Sequence, residues 1–172
     1  MFSVIMFSVI MFPEAKGQEI KTGTHAPNFR LFSLNPQQVM QKVGTPDAAL
    51  LQFVGVNPRA PSYNFIIIMG DKDNLKKEVS LLKRYRYIAT QNRIEWALLY
   101  TDTTPKMRRH IIGNQPWFPV LDDPYSVVRS RYSYLKKQYC YFVDFQGRFL
   151  DRKCDNLSDL QNYLEELRNE TN

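Results

Sequence analysis

The sequence predicts an α/β fold in a single domain. Segments of strand and helix character alternate along the chain, which is the pattern of a sheet covered by helices. Residues 139–151, YCYFVDFQGRFLD, predict a hairpin whose first strand is apolar on both faces, as in a sheet buried on two sides. The length of 172 residues and the apolar fraction of 44% suffice for one domain with a substantial core.

The first twelve residues, MFSVIMFSVIMF, repeat the segment MFSVI and carry no charge. The run is too short to span a bilayer comfortably, but it matches the apolar region of a signal peptide. Ala15, Lys16 and Gly17 follow at the spacing of a cleavage site, whereas the basic leader of a signal peptide is missing. We interpret residues 1–17 as an export signal with a truncated front or as an apolar tail, and residues 18–172 as the domain. A signal predicts an exported or periplasmic protein, and a tail predicts a cytoplasmic one.

The first part of the domain contains two apolar runs. Residues 23–34 alternate weakly and lead into a short strand. Residues 48–56, AALLQFVGV, form a continuous apolar run that predicts a buried strand. Pro58 and Pro61 end it, because prolines do not continue a central strand. Residues 63–69, YNFIIIM, are either a strand, which their three isoleucines favour, or the start of the helix that follows.

The rest of the chain is predicted from caps and periodicity. The predicted helices span 71–87, 105–112, 124–134 and 157–167, and the extended segments span 94–100 and 117–121. Asp71 or Asp73 can cap the first of these helices, and Ser158 and Gln161 have capping-box spacing in the last. The hairpin turn is predicted at Gln146 and Gly147, since glycine supplies the positive φ of a tight turn.

Five segments, taken in order, carry a family resemblance. They are GTHAPNFRL (23–31), ALLQFVGV (49–56), EWALLYTD (95–102), WFPVLDDPYSVVRSRYSY (117–134) and YCYFVDFQGRFLD (139–151). Together they resemble redoxin domains, the thioredoxin-like group that holds the alkyl hydroperoxide reductase/thiol-specific antioxidant peroxiredoxins and the exported thiol-disulfide oxidoreductases. The resemblance covers residues 23–168. It implies a thioredoxin-like three-layer fold, with a central mixed sheet that ends in a β-hairpin and a C-terminal helix.

The chain departs from this family at the residues that perform thiol chemistry. The reactive cysteine of the family follows the first core strand, at a helix N-terminus that lowers the pKa of its thiol. The matching loop here is Asn57, Pro58, Arg59 and Ala60, which contains no thiol. The disulfide-handling members also have a cis-proline before the hairpin strand, where this chain has Gln138. The resemblance therefore implies the fold without the activity, because only a thiolate serves as the nucleophile.

The chain contains two cysteines, Cys140 and Cys154, and no CxxC motif. A two-residue turn would place Cys140 opposite Lys153, whereas a one-residue bulge at the turn would place it opposite Cys154. The first arrangement leaves one buried and one free cysteine. The second allows a structural disulfide that would stabilise the fold by about 3 kcal/mol in the chain-entropy model.

No other motif points to a site. His25 and His110 have no evident partners, and the sequence predicts no metal site and no cofactor. The net charge of +6 includes three basic stretches, 83–86, 106–109 and 129–137. Aromatic residues among the cations of the last could stack on bases, but solvated helix faces explain the same residues, so nucleic acid is not predicted as a partner.

Two functions remain from the sequence. The first is a redoxin-type domain that has lost peroxidase and oxidoreductase chemistry and serves as a binding or structural module for an unidentified protein partner. A groove lined by Phe53, Trp117 and Phe118 would indicate that the surface that holds the active site in the family serves for binding here. If residues 63–69 fill that groove, the surface is not available for binding. The second is a divergent thiol-disulfide oxidoreductase or antioxidant protein that uses Cys140 or Cys154. The sequence indicates no oligomeric state.

Overall fold

The computed structural model describes residues 23–54, 64–135 and 138–171. Within them, strands and helices alternate as the sequence predicts. The strands are β1 (Arg30–Ser33), β2 (Asp47–Ala49), β3 (Asn64–Met69), β4 (Ile94–Tyr100), β5 (Val120–Asp122) and β6 (Cys140–Val143). The helices are α1 (Pro36–Val43), α2 (Leu75–Arg84), α3 (Arg86–Gln91), α4 (Pro105–Asn114), α5 (Val127–Leu135) and α6 (Leu157–Thr171).

The six strands form one mixed sheet in the order β2-β1-β5-β4-β3-β6. Strands β3, β4 and β5 are parallel, and β6, β1 and β2 pair antiparallel to their neighbours. The inner strand β3 pairs with β4 on one side and with the edge strand β6 on the other. All its residues from Phe65 to Met69 are buried, because helices cover both faces of the sheet.

Each face of the sheet has its own apolar core. Ile66 and Ile68 of β3 point to the face that is covered by α2, α3, α4 and α6. Phe65 and Ile67 point to the other face, which is packed by α1 and α5. The alternation of side chains along a strand produces this division. The three-layer fold predicted from the resemblance is thus confirmed, including its C-terminal helix.

The predicted buried strand at 48–56 is wrong. In the described part of this segment, residues 48–54, the chain is extended only at Ala48 and Ala49, which belong to the short edge strand β2 beside β1. A 3-10 turn follows at Leu50–Gln52. The Gln52 side chain accepts a hydrogen bond from the Ala49 N–H at 2.7 Å, so a local polar contact ends the strand. The core strand is Asn64–Met69, which resolves the ambiguity of 63–69 in favour of a strand. The predicted loop Asn57, Pro58, Arg59 and Ala60 lies outside the described residues.

Two further local predictions differ from the structure. The helix predicted at 71–87 is a 3-10 turn (Lys72–Asn74) followed by α2 and α3. The last helix is capped by Asn156, whose side chain accepts from the Asp159 N–H at 3.1 Å, and not by a Ser158–Gln161 capping box. A sequence pattern places such helices correctly but leaves their ends uncertain by a few residues.

The hairpin also differs in detail. Asp144 and Arg148 face each other across the residues 145–147, with Gly147 at φ 78°. This is a three-residue turn that ends in a left-handed residue, rather than the two-residue turn at Gln146 and Gly147. The returning chain pairs with β6 through a single bridge, Val143 to Phe149. That register would place Cys140 opposite Arg152, but the backbone then loops out before Cys154.

Candidate functional site

The parallel strands β3, β4 and β5 end at the same edge of the sheet, which we call the carboxyl edge. In open α/β sheets this edge is where ligands and reactive groups are found. Residues 70–74 follow β3 and lead into α2, Thr101 and Asp102 follow β4, and Asp123 follows β5. The carboxyl edge is therefore the candidate location of a functional site in this chain.

The segment 70–74 is held in a tight, hydrogen-bonded conformation. The Gly70 N–H donates to the Leu99 carbonyl at 2.8 Å. The Asp71 carboxylate accepts from the Asp73 N–H and from the Asn74 side chain, both at 3.1 Å. A Cβ at Gly70 would lie 2.5 Å from the Tyr100 ring, so only glycine allows this approach of backbone to ring. The segment contains no cysteine.

A buried carboxyl group lies directly beneath this segment. Glu78 of α2 is fully buried, and its oxygens accept hydrogen bonds from the Asp71 N–H at 3.0 Å, from the Tyr139 hydroxyl at 2.7 Å and from the Tyr100 hydroxyl. Burial raises the pKa of the Glu78 carboxyl, although these hydrogen bonds oppose the shift. Burial and the neighbouring Glu78 raise the pKa of both tyrosines as well.

Helix α5 closes the other side of the same segment. The Arg129 side chain donates to the Gly70 carbonyl. Asp123 positions this helix, because its carboxylate accepts from the Val127 and Arg129 N–H groups, each at 2.9 Å. The segment is thus fixed from both faces of the sheet, by Glu78 below and by Arg129 above.

Strand β6 brings the predicted position Gln138 to the same place. Ile68 pairs with Cys140, and the Met69 N–H donates to the Tyr139 carbonyl at 2.8 Å. Continuing this register places Gln138 opposite Gly70. The peptide bonds of the described residues are all trans, and the Gln138 N–H donates to the Tyr141 hydroxyl at 3.3 Å.

The two cysteines are joined in a disulfide that lies away from the surface. Their Cα atoms are 5.3 Å apart, and Cys140 and Cys154 are 0% and 1% exposed. The Cys154 carbonyl accepts from the N–H groups of Tyr139 and Cys140 at 2.8 and 3.1 Å. The bond therefore fixes the returning chain to β6. The loop between Leu150 and Cys154, rather than a bulge at the turn, brings the sulfurs together.

The predicted aromatic groove is not formed by the residues named for it. Phe53 belongs to the core on the α5 face, whereas Trp117 and Phe118 pack in the core on the α2 face. The two histidines are also separate, since His25 is exposed near the hairpin turn and His110 contacts Asn114 within α4. No group of three or more metal-ligating side chains occurs among the described residues.

Glu78, Tyr100, Tyr139 and Arg129 are the polar residues at the carboxyl edge that sequence reasoning missed. One signal was present in the sequence. Glu78 lies three residues after Leu75 and four before Leu82, which places a carboxyl group on the apolar face of an amphipathic helix. Such a group needs buried partners, although the sequence does not identify the two tyrosines that provide them. In the described part of the chain, no helix is long and apolar enough to span a bilayer.

The comparisons with known proteins bear on the fold. No family model matches the sequence, and the search of curated proteins finds no significant match. Among solved structures, the chain is similar to the peroxidoxin BcpB from Mycobacterium tuberculosis. The TM-score is 0.60 at 14% identity, with 88% of this chain and 98% of the other covered.

Two further structures are similar over nearly the whole domain. The thioredoxin domain of a thiol-disulfide oxidoreductase from Bacteroides vulgatus gives a TM-score of 0.55 at 14% identity, covering 86% of this chain and 98% of that domain. A thiol:disulfide interchange protein from Bacteroides sp. gives 0.53 at 16% identity, covering 87% and 91%. At these identities the similarity shows the fold, which is thioredoxin-like.

Proposed function

We propose that this thioredoxin-like domain is a redox-inactive binding or structural module of an exported protein. One observation carries the proposal. Between the core strand β3 and the helix α2, where the resemblance implies a reactive cysteine, the chain has residues 70–74, GDKDN. The polar groups that surround this segment bind one another and leave no nucleophile.

The position of the segment supports its assignment as the former thiol site. It follows the core strand and precedes the first long helix of the domain, and the register of β6 places Gln138 opposite it. Gln138 is the residue that was matched to the cis-proline of the family. The assignment of Asn57, Pro58, Arg59 and Ala60 rested on a strand at 48–56, and that strand ends at Ala49. We therefore assign the degenerate site to residues 70–74.

The chemistry of the segment supports the loss of redox activity. Thiol-disulfide exchange and peroxide reduction both begin with attack by a thiolate. The side chains that replace it, Asp71, Asp73 and Asn74, are not nucleophiles for sulfur or peroxide oxygen. Glu78 beneath them is fully buried and accepts three hydrogen bonds from the protein, and a carboxylate does not replace a thiolate as the attacking group.

The disulfide supports an oxidising location. Structural disulfides persist in secreted, periplasmic and other extracytoplasmic proteins and are rare in the cytosol of mesophiles. Cys140 and Cys154 are buried in the core, where exchange with solvent thiols is hindered. This agrees with the interpretation of residues 1–17 as an export signal.

The alternative is a thiol-disulfide oxidoreductase that uses Cys140 or Cys154. The feature in its favour is the disulfide itself, which lies on β6 two residues from Gln138. The burial of the disulfide is evidence against this alternative. A thiolate that attacks the disulfide must approach one sulfur along the line of the S–S bond, and the surrounding core side chains block that approach. Neither cysteine lies at a helix N-terminus that would lower its thiol pKa.

An insulin-reduction assay with dithiothreitol, together with a peroxide-consumption assay, tests the proposal. We expect rates equal to the background without protein for the wild type and for the matched Cys140→Ser variant. Turnover by the wild type that Cys140→Ser abolishes would overturn the proposal and establish the alternative. Turnover that survives Cys140→Ser and Cys154→Ser would overturn both.

A further inference from the structure

The outer surface of three neighbouring helices carries cations almost without acids. α2 contributes four cations, α3 one and α4 three, which makes eight. They are Lys76, Lys77, Lys83, Arg84, Arg86, Lys106, Arg108 and Arg109. The three helices contain one acidic residue, Glu78, and it is buried beneath α2. We call the exposed surface of these helices the basic face.

The cations lie on one side of the molecule. α2, α3 and α4 pack their apolar residues against the same face of the sheet, so their polar sides point outward together. The Lys83 ammonium donates to the Asn114 carbonyl at 2.8 Å, which places the end of α2 next to the end of α4. All eight cationic residues are exposed.

These charges are not neutralised by neighbouring acids. Arg108 pairs with Asp122. Among the residues that the structure describes, the other seven cations of the basic face have no carboxylate within ion-pair distance, so Arg108 is the one exception. Acids border the basic face instead. Asp71, Asp73 and Asp102 are exposed just before α2 and α4, and α6, whose Glu165 accepts from the Tyr85 hydroxyl at the start of α3, carries four acids. This separation produces a basic region with an acidic border.

We propose that the basic face binds the surface of a bilayer that contains anionic phospholipids. The charge calls for an anionic partner. Helices that lie side by side on a sheet present a broad surface, which matches the planar charge of a bilayer. The apolar side chain of Ile112 and the amphipathic ring of Tyr87, which are 60% and 65% exposed, suit the interfacial region.

Nucleic acid fits the same charges less well. Proteins that bind single strands provide a groove with several aromatic rings on which bases stack. The exposed aromatic residue on these helices is Tyr87, since Tyr85 is buried. Two clefts of about 260 and 400 Å³ lie between α6 and the hairpin, and none of the eight cationic residues lines them. The inference does not depend on the state of residues 70–74, so it and the proposed function can fail separately.

The test measures cosedimentation of the full chain with vesicles of phosphatidylcholine alone or with about 30% phosphatidylglycerol. The face variant is Lys76→Glu with Lys106→Glu, and the matched control is Arg131→Glu with Lys153→Glu. Each pair lowers the net charge from +6 by the same amount, and the control residues are exposed on other parts of the protein.

We expect binding to the anionic vesicles that weakens in about 0.5 M salt. The face variant should bind about tenfold more weakly, and the control should stay within about twofold of the wild type. Equal binding to neutral vesicles, or equal losses in both variants, would overturn the inference. Tighter binding to a single-stranded oligonucleotide than to anionic vesicles would overturn it in favour of nucleic acid. Insulin turnover would contradict only the proposed function.

Discussion

Gly70 is the residue at which the carboxyl edge is packed most tightly. A methyl group there would lie 2.5 Å from the ring of Tyr100, which is fully buried and bonded to Glu78. The ring cannot move without breaking that bond or displacing core side chains. The close packing of strand, ring and helix therefore depends on the absence of one side chain.

We predict that Gly70→Ala lowers the free energy of unfolding by about 2 kcal/mol, because the core would be overpacked. The measurement is urea denaturation at neutral pH. Gly113→Ala is the matched control, since its added Cβ meets no atom within 4 Å and alanine favours the α4 helix by about 1 kcal/mol. Equal stability changes in the two variants would contradict the packing argument.

Glu78 gives the fold a dependence on pH. Burial raises the pKa of its carboxyl above the value of about 4.3 in an unfolded chain, so the folded state binds this proton more tightly. The resulting stabilisation is complete at pH values below the pKa of this carboxyl in the unfolded chain. It is lost as the pH rises through the pKa of the folded state. The sign is opposite to that of an ion-paired carboxylate, whose pKa is lowered.

We predict that Glu78→Gln reduces this pH dependence, because the amide keeps a similar shape and cannot ionise. The side-chain oxygen can still accept from Asp71 and Tyr139, and the amide can donate to the Tyr100 oxygen. The measurement is the free energy of unfolding from pH 4 to pH 8 for both proteins in the same buffers. The wild type should lose stability relative to the variant as the pH rises. A difference that stays constant over this range would show that burial does not raise the Glu78 pKa.

The hairpin is the element whose pairing depends most on a covalent bond. The returning chain pairs with β6 at the Val143–Phe149 bridge and through the Leu150 N–H, which donates to the Phe142 carbonyl at 2.9 Å. It then loops out before Cys154. Backbone hydrogen bonds to the Cys154 carbonyl restore the contact, and the disulfide fixes it. Tyr139 directly precedes Cys140 at the start of β6, so the disulfide also stabilises the hydrogen bond from Tyr139 to Glu78.

We predict that Cys140→Ala with Cys154→Ala lowers the free energy of unfolding by about 3 kcal/mol, as the chain-entropy model gives for a loop of this size. Urea denaturation of the wild type and the variant measures the change. In the presence of dithiothreitol, the denaturation midpoint of the wild type should approach that of the variant. Identical midpoints without reductant would mean that the bond does not stabilise the fold.

The strands show why some elements can be predicted from sequence and others cannot. Residues 94–100 were predicted as a strand and form β4 with the same bounds, because a buried parallel strand is a continuous apolar run with polar ends. Residues 48–56 are equally apolar, but in their described part, 48–54, the strand ends at Ala49, because a side-chain contact and the edge position end β2 early. An apolar run in the sequence indicates that a segment is buried. Whether the segment pairs as a strand depends on residues that are distant in the sequence.

The position of the candidate site was missed for the same reason. The sequence shows that the expected site lacks a thiol. The position of that site along the chain, however, depends on which apolar run is the core strand. The isoleucines of 63–69 favour a strand, but the start of a helix stayed open because β3 is buried on both faces and shows no alternation. Only the register with β4 and β6 shows that residues 70–74 follow the core strand.

For the whole molecule, the proposed assignment of the degenerate site predicts that a thiol site can be introduced at residues 70–74. The Asp71 and Asn74 side chains already touch at 3.1 Å, and two cysteines there would form a CxxC pair before α2. The helix N-terminus lowers the pKa of such a thiol.

We predict that Asp71→Cys with Asn74→Cys reduces insulin with dithiothreitol at least tenfold faster than either single variant. In each turnover the dithiol passes two electrons to an insulin disulfide, and dithiothreitol reduces the resulting protein disulfide. The matched control is Lys106→Cys with Arg109→Cys, which has the same spacing at the start of α4 but no β6 residue opposite. Equal rates for the two pairs would show that the strand and helix around residues 70–74 give a thiol no advantage, and the assignment of the degenerate site would be wrong.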